Sequence, residues 1–111
     1  MFIQKEIATH ANDFQSLCEK HKVKSLYAFG SSVRDDFNPA TSDIDLIAEI
    51  DGEDPIERGE NIMSLWDAFE AFFHRKVDLI TNISIRNPFL KKSIEATKIL
   101  IYDGTRKKIL I

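Results

Sequence analysis

Ala28 to Ile50 reads AFGSSVRDDFNPATSDIDLIAEI, and the remainder of the 111-residue chain is most simply understood as its support. A strand runs into Gly30-Ser31, a polar loop follows, and a second strand opens with Asp43 and carries Asp45. Strand residues two apart point to the same face, about 6 to 7 Å apart at roughly 3.3 Å per residue, so both carboxylates look into one site. A glycine that frees the backbone, followed by serine and a short helix, offers N–H groups suited to phosphate. An acid pair beside such a cradle points to metal-assisted phosphoryl or nucleotidyl transfer.

Upstream, Val23 to Phe29 (VKSLYAF) alternates and is rich in β-formers, which predicts the first strand. Before it, Ile3, Ile7, Phe14, Leu17 and Cys18 fall at helical spacing, predicting one amphipathic helix from Ile3 to His21. A short helix is expected over Ser31 to Asp36. Asn38-Pro39 and Thr41 make Phe37 to Ser42 a loop.

Downstream, Asp43 to Ile50 is the second strand, with Ile44, Leu46 and Ala48 on its core face. Pro55 to Phe73 reads as a long helix whose stripe of Ile62, Leu65, Trp66, Phe69, Phe72 and Phe73 is core packing rather than a ligand box. Lys76 to Thr81 (KVDLIT) is a third strand. Asn87-Pro88 opens a helix to Thr97, with Phe89, Leu90 and Ile94 as its apolar side. Ile99 to Tyr102 is a closing strand, and Lys107-Lys108 belongs to a tail. The pattern gives a single domain over residues 1–111 of α/β (α+β) class, a small mixed sheet covered by helices.

Asp78 stands mid-strand between Val77 and Leu79, where burying a lone carboxylate would be costly. If the second and third strands are neighbours, it joins Asp43 and Asp45. Three carboxylates are hard oxygen donors suited to Mg²⁺ or Mn²⁺. The competing account has Asp43 capping a turn, Asp45 on a solvated face and Asp78 paired with a cation.

A hydrophobic share of 43% with 30% charged residues is that of an ordinary globular protein and excludes a disordered one. The net charge of −3 argues against stable nucleic-acid binding, which rests on Lys and Arg displacing counterions. No apolar run approaches a membrane span and no charged-then-apolar leader is present, so a cytoplasmic location is expected. The lone Cys18 is expected to be a buried structural thiol. His10, His21 and His74 lack metal-ligand spacing, and Tyr27 and Tyr102 read as strand packing.

Gly30-Ser31, the intervening loop, Asp43-Ile44-Asp45 and the later Asp78 together resemble the nucleotidyltransferase superfamily of DNA polymerase β type. FGSSVRDDFNPATSDIDLIAEI, RKVDLIT and NPFLKKSIEATKILIYDG are similar to its short minimal nucleotidyltransferase (MNT) members over nearly the whole chain. The resemblance implies that Gly30 and Ser31 hold the nucleotide's terminal phosphates. It makes Asp43, Asp45 and Asp78 catalytic and metal-binding, with one or two Mg²⁺ ions, and Asp78 assisting deprotonation of the attacking hydroxyl. Arg34 falls in the family's GSxxR segment and would contact phosphate or pair with Asp35 or Asp36; Asp35 stands where many members have glycine. ATP is the implied donor. The implied partner is a helical HEPN-type toxin, modified with AMP on tyrosine by its MNT antitoxin. An inert antitoxin acting by contact, or a subunit of a small-molecule (aminoglycoside-type) nucleotidyltransferase, are the alternatives, and a homo- or hetero-oligomer is compatible with each.

Overall fold

The structure, a computed structural model, describes residues 1–34, 37–81 and 86–111. Its elements in order are α1 (Phe2–Thr9), α2 (Ala11–Lys20), β1 (Val23–Phe29), a 3-10 turn (Gly30–Val33), β2 (Ile44–Ile50), α3 (Pro55–Phe73), β3 (Val77–Ile80), α4 (Pro88–Thr97), β4 (Ile99–Asp103) and β5 (Lys108–Ile109). Five strands form one sheet in the order β3-β2-β1-β4-β5. β1 runs antiparallel to both β2 and β4, while β2 and β3 are parallel. A parallel pair needs a long crossover, and α3 supplies it. The mixed sheet with its helices is the expected α+β class.

Alternation along the strands decides which face is covered. Leu26 and Ala28 of β1, Ile44, Leu46 and Ala48 of β2, and Val77 and Leu79 of β3 share a buried core with Ile3, Ile7, Phe14, Cys18, Leu65, Phe69 and Phe73 from the first three helices. The aromatic stripe is packing, as expected: the Phe14 ring lies 5.9 Å from that of Phe69 and 5.2 Å from that of Phe72. Each of the fully buried rings, Phe14, Phe69 and Phe73, contributes about 1.5–3 kcal/mol. Asp45 and Asp78 sit on the other side of the pleat from this core.

Local chemistry explains the helix ends. The Asp54 carboxylate accepts from the N–H of Ile56 at 2.9 Å ahead of Pro55, and α3 closes at His74 in the left-handed region (φ 53). The Asn87 side chain accepts from the N–H of Phe89 at 2.9 Å and so starts α4.

Several expectations require correction. The first helix is two, broken at His10 (φ −131, ψ 49). The Thr9 hydroxyl donates back to the carbonyl of Lys5, and the bend lets Ile3 and Ile7 enter the same core as Phe14 and Cys18 from a different direction. The short helix after Gly30 is a 3-10 turn that includes Gly30 and ends at Val33; Asp35 and Asp36 lie outside the described residues. β2 begins at Ile44, whose N–H donates to the carbonyl of Lys76, so Asp43 precedes the strand. The tail is ordered: Asp103 accepts from the N–H of Thr105 and from Arg106, and the resulting turn pairs Lys108 with Asp103 and Ile109 with Tyr102. On α4 only Ile94 is buried, whereas Phe89 is 84% exposed.

Candidate active site

β1 ends at Phe29, which is paired across the sheet with Asp45. The chain turns at once through Gly30, whose φ of +63 lies in the left-handed region that costs a side-chain-bearing residue about 1–2 kcal/mol. The same turn passes so close to Asp45 that a Cβ built on Gly30 would stand 2.9 Å from Oδ2 of Asp45. Glycine is therefore favoured on two counts, for the turn and for the room it leaves the carboxylate. Ser32 locks the pair: buried itself, it accepts at Oγ from the N–H of Asp45 at 2.8 Å. Sequence reasoning singled out Ser31 and passed over Ser32; a second serine after the glycine was the available signal.

On the other side of β2, Asp45 is in register with Asp78 of β3. Neighbouring strands lie about 4.7–4.9 Å apart and register partners share a face, so the two carboxylates stand side by side. α3 places β3 by gripping both polar groups of Val77: Oε2 of Glu70 accepts from its N–H at 2.9 Å, and Nε1 of Trp66 donates to its carbonyl at 2.6 Å. These ties fix the residue next to Asp78. Neither Trp66 nor Glu70 was singled out for this role, because a side-chain grip on an edge strand has no sequence spacing of its own.

Asp43 is exposed and delivered by the preceding loop. In that loop the N–H of Ser42 donates to the carbonyl of Asn38 at 2.8 Å, and the N–H of Asn38 donates to Oγ of Ser42 at 3.0 Å. Arg75 clamps it from outside, donating 2.7 Å to the carbonyl of Pro39 while its guanidinium lies 4.3 Å from the centre of the Phe2 ring. Phe2 in turn stacks on Phe37 at 4.8 Å.

The electrostatics follow from this placement. Burial raises the Asp45 carboxyl, and the charges of Asp78 and then Asp43 raise it further against the opposing pull of Arg34, to about 6 from an ordinary 3.8. Arg34 is exposed at the end of the Gly30–Val33 turn, near enough to act on Asp45. The site is thus a concentration of negative charge left incompletely balanced, with an exposed cation at its rim. Among the described residues no three His, Cys, Asp or Glu side chains converge tightly enough to encircle a metal ion unaided. The neighbouring Asp45 and Asp78 carboxylates are hard oxygen donors of the kind that divalent ions take, with substrate phosphates and water able to complete the shell.

The remaining polar candidates have structural roles. His21 is buried, with Nδ1 2.8 Å from the carbonyl of Leu17 and Nε2 3.0 Å from Oγ of Ser64. His10 packs edge-on to Phe72 and His74 ends α3. Cys18 is fully buried, and burial, with the Glu19 charge adding to it, pushes its thiol up to about 12, so it is inert. Tyr102 is core, and Tyr27 carries the Lys98 ammonium 4.5 Å above its ring. A cavity of about 350 Å³ between β2 and α3, lined by residues such as Ile50, Pro55, Arg58 and Ile62, contains none of the acids.

The nucleotidyltransferase domain model matches residues 14–101, a span holding every site residue described above. The chain belongs to that nucleotidyltransferase domain family. It is similar to two proteins of Methanocaldococcus jannaschii provisionally named as protein adenylyltransferases. One is 44% identical over 87 residues, covering 78% of this chain and 85% of the relative. The other is 45% identical over 85 residues, covering 77% and 83%. Among solved structures, this nucleotidyltransferase resembles a crystal structure of a toxin-antitoxin with AMP-PNP, with TM-score 0.52 and 25% identity over 83% of this chain and 72% of that one. A structure provisionally described as a minimal nucleotidyltransferase shares the fold, with TM-score 0.57 and 22% identity over 85% and 93% of the two chains. Members of this family generally use divalent metal ions. Among the described residues no helix is long and apolar enough to cross a membrane.

Proposed function

We propose that this nucleotidyltransferase transfers AMP from ATP to a hydroxyl, that of a tyrosine on a helical HEPN-type protein, and so acts as that partner's antitoxin. The observation that carries the reading is the side-by-side register of Asp45 and Asp78 directly beneath the Gly30 turn. A carboxylate pair held this close, with the Asp45 carboxyl already raised, has strong reason to accept a divalent cation and little use as a stabilising element. The provisional names of the relatives and the AMP-PNP in the toxin-antitoxin neighbour support the choice of ATP and of a protein acceptor.

In this reading Gly30 and Ser31 hold the terminal phosphates of ATP and the Arg34 guanidinium answers their charge. Asp43, Asp45 and Asp78 would hold Mg²⁺, or Mn²⁺, which when bound supplies charge neutralisation at the phosphates and acidifies the attacking hydroxyl. Asp78 receives the hydroxyl proton as the acceptor oxygen attacks the α-phosphorus. The bond from that phosphorus to the bridging oxygen breaks, and pyrophosphate leaves opposite the entering oxygen. Ser32 acts through Asp45 by fixing the backbone that carries it.

Co-expression of the chain with its HEPN-type partner, followed by intact-mass spectrometry of the partner, tests this. The partner should gain the mass of one or more AMP groups with the wild-type chain and none with the Asp43→Asn, Asp45→Asn double variant. An unmodified partner whose toxicity is suppressed equally by both versions contradicts the reading and assigns the protein to inhibition by contact.

A further inference from the structure

α4 is anchored weakly for a ten-residue helix: Ile94 is its only buried residue, and Phe89 and Leu90 are 84% and 46% exposed. A large aromatic in water forgoes the burial that would stabilise a helix too short to persist by itself. The charges on this element are also placed against its own stability. Its first turn holds no acidic residue, Lys91 and Lys92 follow directly, and Arg86 lies just ahead of it. Cations near a helix N-terminus oppose the macrodipole. Glu95, the helix's one acid, is already paired with Lys98 at 3.1 Å. The result is an apolar point, Phe89 and Leu90, ringed by three cations that are unpaired among the described residues, on a chain whose net charge is −3.

The position of this surface gives it meaning. α4 packs beside the Gly30–Val33 turn, so a protein seated on it would stand near the acids; α1 also meets that turn but spends its apolar residues Ile3 and Ile7 on the core, as α2 and α3 spend theirs, whereas α4 leaves Phe89 and Leu90 to solvent.

From these features we infer that the exposed face of α4, centred on Phe89 and Leu90 and rimmed by Arg86, Lys91 and Lys92, is the docking surface for an acidic face of the acceptor protein. The inference rests on the proposed transfer to a protein hydroxyl and names how that protein is held. Phe89 would fill an apolar notch, and the lysines would pair with carboxylates at its rim, the usual division between a buried anchor and charges that steer approach. A nucleic acid fits less well. Three cations neutralise few phosphates, Phe89 is a single ring where a strand-tracking groove offers several for successive bases, and the chain's net charge of −3 disfavours polyanions.

The test uses the full chain and a HEPN-type partner protein, with the binding arm carried out in the Asp43→Asn, Asp45→Asn background so that binding is read without transfer. Phe89→Ala with Leu90→Ala, and separately Lys91→Glu with Lys92→Glu, should each weaken the complex by about tenfold or more. The charge-reversal pair should lose most at low salt. In the wild-type background the same changes should raise KM for the acceptor and leave kcat and affinity for ATP unchanged. Unaltered partner affinity in both variants, or no complex with the parent chain, overturns the surface. So does a single-stranded RNA oligonucleotide that binds in proportion to the lysines and displaces the partner. Lost binding in the variants with no AMP ever attached by the wild type would leave the surface standing and contradict the transfer instead.

Discussion

Replacing Asp45 with Asn should cost about three orders of magnitude in nucleotide transfer while making the domain harder to unfold at neutral pH. The first half follows from what the carboxylate is proposed to hold: several kcal/mol of charge stabilisation at the phosphates, at about 1.4 kcal/mol per tenfold in rate. The second half follows from the sign of the Asp45 perturbation. Its carboxyl is raised to about 6 by burial, Asp78 and Asp43, so ionisation works against folding. The native advantage of the protonated acid is full below about pH 4 and is lost as pH rises through about 6. Converted at 1.36 kcal/mol per pH unit and discounted by half or more because the group is partly exposed, the penalty at pH 7 is about 1 kcal/mol. Asn removes it. Thermal melts of the two forms should therefore differ by a few degrees at pH 7 and converge near pH 4, with the wild type gaining as pH falls. A variant that melts earlier at pH 7 would mean that Asp45 is a structural acid.

Gly30→Ala should divide fold from function in the opposite sense. The left-handed backbone costs alanine about 1–2 kcal/mol, which lowers the melting temperature of a domain this size by roughly 5–15 °C and leaves it folded. The new methyl group then meets Oδ2 of Asp45. A carboxylate tip can swing aside cheaply, so the clash adds little to instability, but the swing moves the one group the site is built around. Transfer should fall by at least a hundredfold, since a displacement of about 1 Å at reacting groups is enough for that. Circular dichroism melts read against single-turnover AMP transfer separate the two effects. A destabilised variant with unchanged transfer would show that the closeness of Gly30 to Asp45 has no functional consequence.

The parts of this architecture that could be read from sequence are those set by local chemistry. Asp54-Pro55 starts α3 by capping, Asn87-Pro88 starts α4 in the same way, and the alternation of Asp45 against Ile44 and Leu46 puts acid and core on opposite faces. The alignment of Asp45 with Asp78 was conditional on two strands being neighbours, which only the crossover through α3 decides. What escaped was set by distant contacts. Ser32 matters because Asp45 lies across from it, Arg75 because Pro39 does, and Trp66 and Glu70 because Val77 starts the edge strand. The break at His10 has no proline or glycine to announce it, since the core rather than the chain requires the bend. β5 is only two residues long and depends on the Asp103 turn. Phe89 and Leu90 followed the helical period with Ile94 yet remain exposed, and period alone does not distinguish a face that meets the core from one that meets water.

The central claim is that Asp43, Asp45 and Asp78 exist to hold a divalent ion with a nucleoside triphosphate. Calorimetric titration of the wild-type chain with ATP, once with Mg²⁺ and once with EDTA, tests it most directly. Three carboxylates facing a polyphosphate repel it until a cation intervenes, so binding should be measurable with Mg²⁺ and at least tenfold weaker without it. Equal affinity under both conditions would contradict the claim.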